Sequence, residues 1–437
     1  MSIKSNKVNR PLKGFEKFLE GTAIASLFLI PIFIVLIIIS LHSTMLITKG
    51  IALALYIILG VMLVIDIEYI VVFKASRLKV FTKKVANIIA GILLALYIIF
   101  VFLLYGPFGG FRQWLITTAM STMTHQYLCQ WFYSTDEIAK IMGDNFVKEV
   151  DEKTDESLIG KGGDADSIKV NKKDGYSVGV IAETKDYKII KLKVNGQNGY
   201  LACVYNPSKV KVAYTDRIGV AGRYVTKMAE QRNALLGINA AGFYDPGANS
   251  KGSMPGGLTI AGGKVITDNG FHGYSGGGLI GFNNKNVLCL MRNATADKAL
   301  KAGIRDGVSW GPFLVVNGKS SYVSGNGGWG LAARTAIGQR KDGTVLLLVV
   351  DSNSTRSRGA GMRELAEIMM SYGAVNAANL DGGTSSVMVM PSKEALMANK
   401  DAKTDGYSTA YRIINDPVDS ALQHKTRPIA DAFIVER

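Results

Sequence analysis

Long uninterrupted hydrophobic runs dominate the first 105 residues. Two of them, residues 22–41 and 85–105, contain no charged side chain and are about 20 residues long, the length that a helix needs to cross the ~30 Å hydrocarbon core of a bilayer. A third run, residues 51–73, contains Asp66 and Glu68 near its end, where we expect them to lie in the membrane interface. The pattern predicts three transmembrane helices.

Positive charges are distributed unevenly around these runs. The arm of residues 1–21 and the loop of residues 74–84 each hold five Lys and Arg, whereas the loop between the first two runs holds only Lys49. Because Lys and Arg are enriched on the cytoplasmic side, the pattern predicts a multi-pass plasma-membrane protein with a cytoplasmic N-terminus, an extracellular C-terminal domain and the lipid bilayer as a partner. No small-residue cleavage site follows the first run, so we interpret it as an anchor.

The pattern changes twice more before the C-terminal domain. Residues 106–147 contain aromatic side chains within a helical stretch, which is typical of a juxtamembrane stalk. Residues 148–175 are charged, rich in Gly, Asp and Lys, and without periodicity, which predicts a linker.

From residue 176 onward, short β-branched runs alternate with Gly-rich turns, the pattern of strands. Helical periodicity occurs at residues 224–233 and 361–372. About 260 residues are enough to bury a core of their own. The sequence therefore predicts an α+β domain over residues 176–437, rich in strands that form a mixed sheet.

Composition and charge exclude several classes of protein. The 437 residues are 48% hydrophobic and 19% charged, with a mean hydropathy of +0.18, which excludes a disordered chain, a collagen and a small disulfide scaffold. The net charge of +15 would suit a nucleic-acid binder, but residues 1–130 hold 12 Lys and Arg against 4 Asp and Glu. Over half of the positive excess thus lies beside the most apolar segment, so we expect no nucleic-acid partner.

Several short motifs lack the context that their chemistry requires. Residues 325–330 match G-x-G-x-x-G and residues 273–277 match G-x-S-x-G, but a predicted strand follows each of them where a helix is needed. A dinucleotide site and a serine hydrolase with His424 as base are therefore disfavoured. With four His and no H-E-x-x-H, zinc catalysis is disfavoured as well.

Metal and disulfide chemistry find little support. Asp351 and Asn353 lack the regularly spaced partners of a calcium loop, so we expect neither a metal nor another cofactor. Cys129, Cys203 and Cys289 are an odd number and show no C-x-x-C spacing. We interpret them as core thiols, with a Cys203–Cys289 disulfide as the alternative.

A strand–helix–strand unit carries the most informative polar residues. The apolar run Val345–Val350 ends at Asp351, a helix follows, and the run Val375–Leu380 ends at Asp381. A right-handed crossover would make the two strands parallel neighbours. Since ligands bind at the carboxyl ends of such strands, we expect Asp351 and Asp381 to lie together.

The turn after the second run has the composition of an anion-binding turn. Gly382 and Gly383 allow backbone amides to approach a ligand closely, and Thr384, Ser385 and Ser386 add hydroxyl groups. The alternative is an ordinary tight turn with solvated aspartates. Upstream, Arg334 lies at the mouth of a predicted strand; its guanidinium suits a phosphate or carboxylate, with a surface ion pair as the alternative.

Six motifs occur in a fixed order along the second half of the chain. They are Asn239 to Asp245, Pro255-Gly256-Gly257, Gly311-Pro312-Phe313 with Asn317-Gly318, Arg334 to Gly338, the strand that ends at Asp351, and Asn379 to Ser386. In this order they resemble the phosphodiester glycosidase family over residues 200–437. Thr384 stands where the family usually has a third Gly.

The resemblance implies an enzyme that hydrolyses sugar-1-phosphodiesters at the C1–O bond. It implies Asp381 as base or nucleophile, Asp351 as the second carboxylate, with these roles interchangeable, and Arg334 as a phosphate clamp. Asn239 would bind sugar hydroxyls. The implied substrate-binding set is Asn239, Gly242, Asp245, Thr335, Gly382, Gly383, Thr384, Ser385 and Ser386.

The resulting hypothesis is a membrane-anchored, extracytoplasmic hydrolase of bacterial cell-envelope or extracellular polysaccharide. Its expected partners are a glycan phosphodiester and an envelope-polysaccharide machinery to which the three spans would dock. The alternative is a non-catalytic polysaccharide-binding or exopolysaccharide-assembly protein with the same fold.

Overall fold

The structure is a computed structural model of the chain. It describes residues 102–120, 126–244, 251–270, 277–352, 359–418 and 424–437, together with ten isolated residues before residue 102. The chain divides into two compact units, residues 1–143 and residues 144–437.

Three helices of the first unit are described: α1 (Gly109–Met120), α2 (Tyr127–Gln130) and α3 (Thr135–Asp144). They enclose a small core that includes Ile116 and Tyr133. At 1.5 Å per residue, the 12-residue α1 is about 18 Å long.

The helices of the described residues correct the predicted multi-pass membrane localisation. Across the described part of the chain, no helix has both the length and the apolar character needed to cross a bilayer. The predicted spans at residues 22–41, 51–73 and 85–105 lie almost wholly outside the described residues. The orientation and the lipid partner inferred from those spans lose their support with the localisation.

The described part of the second unit contains four further α-helices: α4 (Val225–Gln231), α5 (Ala296–Lys301), α6 (Met362–Ser371) and α7 (Ser392–Ala398). It is rich in short strands, as the sequence predicts. In chain order they are β1 (Val147–Lys148), β2 (Ser177–Glu183), β3 (Tyr187–Val194), β4 (Gln197–Val204), β5 (Val210–Tyr214), β6 (Leu236–Asn239), β7 (Phe243–Tyr244), β8 (Met254–Pro255), β9 (Leu258–Ala261), β10 (Lys264–Asp268), β11 (Gly278–Asn283), β12 (Leu288–Met291), β13 (Ile304–Trp310), β14 (Phe313–Val316), β15 (Lys319–Ser320), β16 (Tyr322–Val323), β17 (Arg334–Arg340), β18 (Val345–Val350), β19 (Ala374–Asn379), β20 (Met388–Pro391), β21 (Tyr411–Ile413) and β22 (Asp431–Val435).

Among the described residues these strands form three larger sheets and two short ladders, β1–β16 and β7–β8. An eight-stranded sheet has the order β15-β14-β19-β17-β18-β4-β3-β2. Two five-stranded sheets have the orders β10-β9-β13-β11-β12 and β21-β20-β6-β22-β5. The strand-rich α+β class predicted from the sequence is confirmed. The predicted mixed sheet is wrong, because the strand pairs of the described residues are all antiparallel.

The main core lies between the eight-stranded sheet, the β6 sheet and α6. Strand β18 is continuously apolar and fully buried because it is covered on both faces, while α6 buries the stripe Leu365, Ile368 and Met369. Cys203 and Cys289 lie in buried positions and are free, so the prediction that they are core thiols is confirmed.

The strand–helix–strand unit is present, but its two strands are not neighbours. Strand β17 lies between β18 and β19 and is antiparallel to both. The predicted direct pairing is therefore wrong: β18 and β19 run parallel to each other at about 10 Å, twice the spacing of neighbouring strands.

Residues 148–175, which the sequence predicts to be a linker, make specific bonds inside the second unit. The Glu149 carboxylate accepts hydrogen bonds from the backbone N–H groups of Gly277 and Phe313, both at 2.6 Å, and pairs with Arg292 at 3.1 Å. These bonds hold the start of the segment against the β11 and β14 strands. The domain boundaries inferred from the sequence stay predictions.

Candidate functional site

The candidate site lies at one edge of the eight-stranded sheet, where β18 and β19 end and β17 begins. Arg334 is paired with Val350 of β18, and on the other side the Leu380 N–H donates to the Thr335 carbonyl at 2.8 Å. This register places Arg334 between the two strand ends that carry Asp351 and Asp381.

The turn after β19 requires glycine at two positions. At Gly382, a Cβ would lie 2.8 Å from the Ala333 carbonyl oxygen and 3.2 Å from Arg334 Nη1. Gly383 has φ +62°, a left-handed conformation that glycine adopts without strain. Glycine at these positions lets the turn close against the start of β17.

The end of β6 anchors the same turn. The Ala240 carbonyl accepts from the Asp381 N–H at 2.9 Å, and the Asn239 carboxamide donates to the Asp381 carbonyl at 2.7 Å. The Asn239 oxygen accepts from the Thr335 hydroxyl at 2.7 Å and from the Val387 N–H at 3.1 Å. Asn239 and Thr335 are fully buried, so Asn239 holds the turn, and its predicted contact with sugar hydroxyls stays a prediction.

The Asp381 carboxyl is half-buried and flanked by positive charge. Burial raises its pKa above the usual range, while the Ser385 hydroxyl, the Arg427 and Arg334 guanidinium groups and the Gly382 amide favour the carboxylate and oppose that rise. A carboxyl group whose pKa is raised by burial, beside groups that favour its charged form, has the features of a general base.

Arg334 is buried at 4% exposure and donates mainly to backbone carbonyls. Its Nε donates to Ala360 at 3.2 Å, and its Nη2 donates to Gly330 at 3.0 Å and to Trp329. Burial lowers its pKa to about 10, against the opposing influence of the Asp381 and Glu364 carboxylates. The side chain therefore stays charged at neutral pH, with Nη1 beside Gly382 left for a ligand.

Asp351 lies in a different neighbourhood from Asp381. Its Oδ1 accepts from the Asn415 carboxamide at 2.8 Å and from the Asp416 N–H at 3.0 Å, and within the described residues its buried Oδ2 has no hydrogen-bond partner. Asn415 also donates to the Ser386 carbonyl. The structure thus connects Asp351 to the glycine turn through Asn415 and does not place it against Asp381.

The pH dependence of stability should report the burial of Asp351. Burial raises its pKa from 3.8 to about 6. The native state therefore holds this proton more tightly than the unfolded chain, and stability falls as pH rises from about 4 to about 6. We expect a contribution of about 3 kcal/mol, to be measured by urea unfolding of wild type and Asp351→Asn at pH 4 and pH 7.

The Asp351→Asn variant has no carboxyl to titrate at this position. The stability difference between wild type and variant should shift by that amount in favour of the variant at pH 7. A difference of equal size at both pH values would contradict the raised pKa.

The remaining predicted residues divide into three groups. Gly242 is buried, and a Cβ there would lie 2.2 Å from the Trp310 ring, so it has a packing role. Ser385 and Ser386 are buried in the glycine turn, and the Thr384 hydroxyl contacts the Val418 carbonyl at 3.4 Å. Asp245 lies outside the described residues.

Two charged residues near Asp381 were missed by the sequence reasoning. Arg427 lies over the Phe243 ring at 4.6 Å and favours the Asp381 carboxylate. Asp431, at the start of β22, is fully buried and accepts from the Ala241 N–H at 2.9 Å; burial raises its pKa well above the usual range. Asp431 could have been found from the sequence, because it is an Asp at the start of the apolar run of β22. The sequence contains no such signal for Arg427.

No residues near this edge can be assigned as metal ligands from the described part of the chain, which contains no group of three or more His, Cys, Asp or Glu suited to a metal ion. Two open surface cavities, of about 830 and 480 Å³, are lined by residues 213–232 and by residues around Lys161 and Lys209. Neither cavity is lined by Asp351, Asp381 or Arg334.

Comparison with known proteins finds a family model that covers the site. Residues 232–436 match the model of the family described as phosphodiester glycosidase, which confirms the resemblance predicted from the motifs. The matched range contains β17, β18, β19 and the glycine turn.

Individual relatives are similar over shorter stretches. The SPbeta prophage-derived uncharacterized protein YomE of Bacillus subtilis (strain 168) is 31% identical over 174 residues, which are 39% of this chain and 26% of the relative. The N-acetylglucosamine-1-phosphodiester alpha-N-acetylglucosaminidase of Bos taurus is 43% identical over 60 residues, 14% of this chain and 11% of the relative. The chain thus spans about a quarter or less of the length of these relatives.

Among solved structures, the chain is similar to the catalytic domain of the zebrafish N-acetylglucosamine-1-phosphodiester alpha-N-acetylglucosaminidase auto-inhibited by its pro-peptide. The identity is 19% and the TM-score 0.43, over 57% of this chain and 81% of that one.

Proposed function

Because residues 232–436 match the model of the phosphodiester glycosidase family, we propose that this protein hydrolyses sugar-1-phosphodiesters. The observation that carries the proposal is the carboxylate of Asp381, which follows β19 on a glycine turn and lies close enough to Arg427 and Arg334 for their charges to favour its ionised form. A carboxylate beside fixed positive charge provides both a base and an anion-binding region at one place.

In the proposed reaction, the oxygen of a water molecule forms a bond to C1 of the sugar. The bond between C1 and the bridging oxygen breaks, and its electron pair leaves with the phosphate monoester. Asp381 takes the proton of the attacking water, or attacks C1 first and is released by water in a second step. A phosphate monoester is a good leaving group, so the site needs less help from a general acid than an ordinary glycosidase does.

We propose N-acetylglucosamine as the first sugar to test, since the bovine relative is named for an N-acetylglucosamine-1-phosphodiester. Residues 131–437 hold 38 Lys and Arg against 31 Asp and Glu, an excess that favours a polyanionic glycan. A phosphodiester-containing extracellular or cell-envelope polysaccharide fits that charge, with the enzymes that assemble it as partners.

One observation favours the alternative of a non-catalytic polysaccharide-binding or assembly protein. One oxygen of Asp351, the second carboxylate that the motifs indicate, is bonded to Asn415 and to the Asp416 N–H and so is committed to the protein. Under this alternative the charged edge would bind a phosphorylated glycan without cleaving it.

Oxygen labelling tests the proposal. The full chain is incubated with UDP-N-acetylglucosamine and with synthetic sugar-1-phosphodiesters in water enriched in oxygen-18. We expect the label in the released sugar, because C1–O cleavage adds the water oxygen to C1. Label in the phosphate would show P–O cleavage and a phosphodiesterase, and no release from any substrate would favour the binding protein.

A further inference from the structure

We propose that Arg427 is the residue that binds the phosphate group of the substrate. The proposal rests on the function proposed above and adds to it a residue outside the sequence motifs. Arg334, the arginine that the motifs indicate, has most of its donors committed to the protein.

Within the described residues, no carboxylate lies at salt-bridge distance from Arg427, although its charge acts on Asp381. Arg427 is half-buried, and its Nε is buried without a hydrogen-bond partner in the described residues. An unsatisfied buried donor costs free energy unless something else bonds to it. A ligand that accepts hydrogen bonds would remove that cost.

Other arginines of the second unit have protein partners for their charge or their donors. Arg412 also has a buried Nε without a partner in the described residues, but its Nη1 donates to the Ala402 carbonyl at 3.1 Å. Arg223 pairs with Asp216 at 2.6 Å, and Arg340 pairs with Asp342 at 3.2 Å while donating to the Tyr372 carbonyl. Within the part of the unit that the structure describes, Arg427 makes no ion pair of this kind. Its charge is thus available to an exogenous anion.

The surroundings of Arg427 orient it for one anion at this edge. Its guanidinium lies 4.6 Å from the centroid of the Phe243 ring, and such stacking fixes the plane of the group while leaving its edge free to donate. Phe243 lies shortly after Ala240, whose carbonyl accepts a hydrogen bond from the Asp381 N–H. The positive charge of Arg427 favours the ionised form of the Asp381 carboxyl. A phosphate held by Arg427 would therefore lie beside the carboxylate proposed to act at C1.

The guanidinium group of Arg427 predicts a ligand that contains a phosphodiester or a phosphate monoester. Guanidinium groups match tetrahedral phosphate oxygens with two parallel hydrogen bonds. Arg427→Gln removes the positive charge and the paired N–H donors of the guanidinium group. Arg427→Lys keeps the positive charge but not the paired donors.

The test measures binding and hydrolysis separately on the full chain. Binding is followed by phosphorus-31 NMR titration of dimethyl phosphate, a phosphodiester with no sugar. Hydrolysis is compared between an N-acetylglucosamine-1-phosphodiester and the uncharged p-nitrophenyl glycoside of the same sugar. The matched control is Arg232→Gln, because Arg232 is half-exposed and contacts Glu436 at 3.7 Å, away from Asp381.

We expect Arg427→Gln to weaken dimethyl phosphate binding about 10-fold or more, with Arg427→Lys between it and wild type. For the phosphodiester, kcat/KM should fall about 30-fold or more while hydrolysis of the aryl glycoside falls far less. Arg232→Gln should match wild type in both assays.

Failure of this proposal and failure of the proposed function give different results. Phosphate binding that depends on Arg427 without any hydrolysis would reject the enzyme and keep the binding residue. Hydrolysis that is equally lost for both substrates, unchanged dimethyl phosphate binding in Arg427→Gln, or no binding by wild type would each overturn the assignment of Arg427.

Discussion

Replacing Asp381 by Asn is expected to lower kcat/KM for sugar-1-phosphodiesters by about 10³-fold or more, with folding unchanged. General-base catalysis by a positioned side chain contributes about 10²–10⁴-fold, and an amide can act neither as base nor as nucleophile at C1. The substitution preserves the volume of the side chain, and the turn is held by backbone contacts of Asp381 that Asn retains. Sugar release from a purified phosphodiester measures the effect.

The comparison with Asp268→Asn distinguishes this effect from a general change of charge. Asp268 is exposed at the end of β10, so its variant should keep full activity. Unfolding curves of both variants should match that of wild type within about 1 kcal/mol. An Asp381→Asn protein that retains more than a tenth of wild-type activity would remove Asp381 from the reaction.

The pH profile of the same reaction adds an independent check. Burial raises the pKa of Asp381 while the guanidinium groups of Arg334 and Arg427 oppose the rise. The carboxylate form is the active one, so activity should be lost as pH falls through the pKa of this group. In Arg427→Gln one opposing charge is gone, and that acidic limb should move to higher pH.

The fold could be predicted from the sequence only as far as local pattern determines structure. The apolar run Val345–Val350 and the amphipathic stripe of α6 are local signals, and both elements formed as expected. Which strands pair is a tertiary property: β17 inserts antiparallel between β18 and β19, and nothing in a strand–helix–strand pattern excludes a strand that precedes it in the chain.

For the site as well, local motifs predicted some features, whereas others depend on tertiary packing that the sequence does not reveal. The glycine turn after β19 was predicted because Gly382 and Gly383 are direct signals of backbone geometry. The environment of Arg427 depends on its stacking over Phe243, 184 positions earlier in the chain, and no spacing rule brings the two together. Asn239 stands in a motif, but its full burial follows from contacts with β17 and with the turn.

That burial leads to the second large expected effect. Asn239→Ala should lower the free energy of unfolding by about 3–5 kcal/mol, because it leaves the Thr335 hydroxyl, the Val387 N–H and the Asp381 carbonyl without their buried partner, at about 1–3 kcal/mol for each group. Urea unfolding at pH 7 measures it. A residue that only contacted a sugar would change KM and leave stability intact.

Asn206→Ala is the matched control, since the exposed Asn206 side chain accepts only local bonds from Ser208 and should cost no more than about 1 kcal/mol. The activity of the Asn239→Ala variant, measured under conditions where it is folded, shows whether Asn239 positions the turn or contacts the sugar. Since Asn239 ties the Asp381 carbonyl to β6, a displaced turn should lower kcat for the phosphodiester and the aryl glycoside by similar factors. A variant of wild-type stability with a raised KM alone would instead place Asn239 in contact with the sugar.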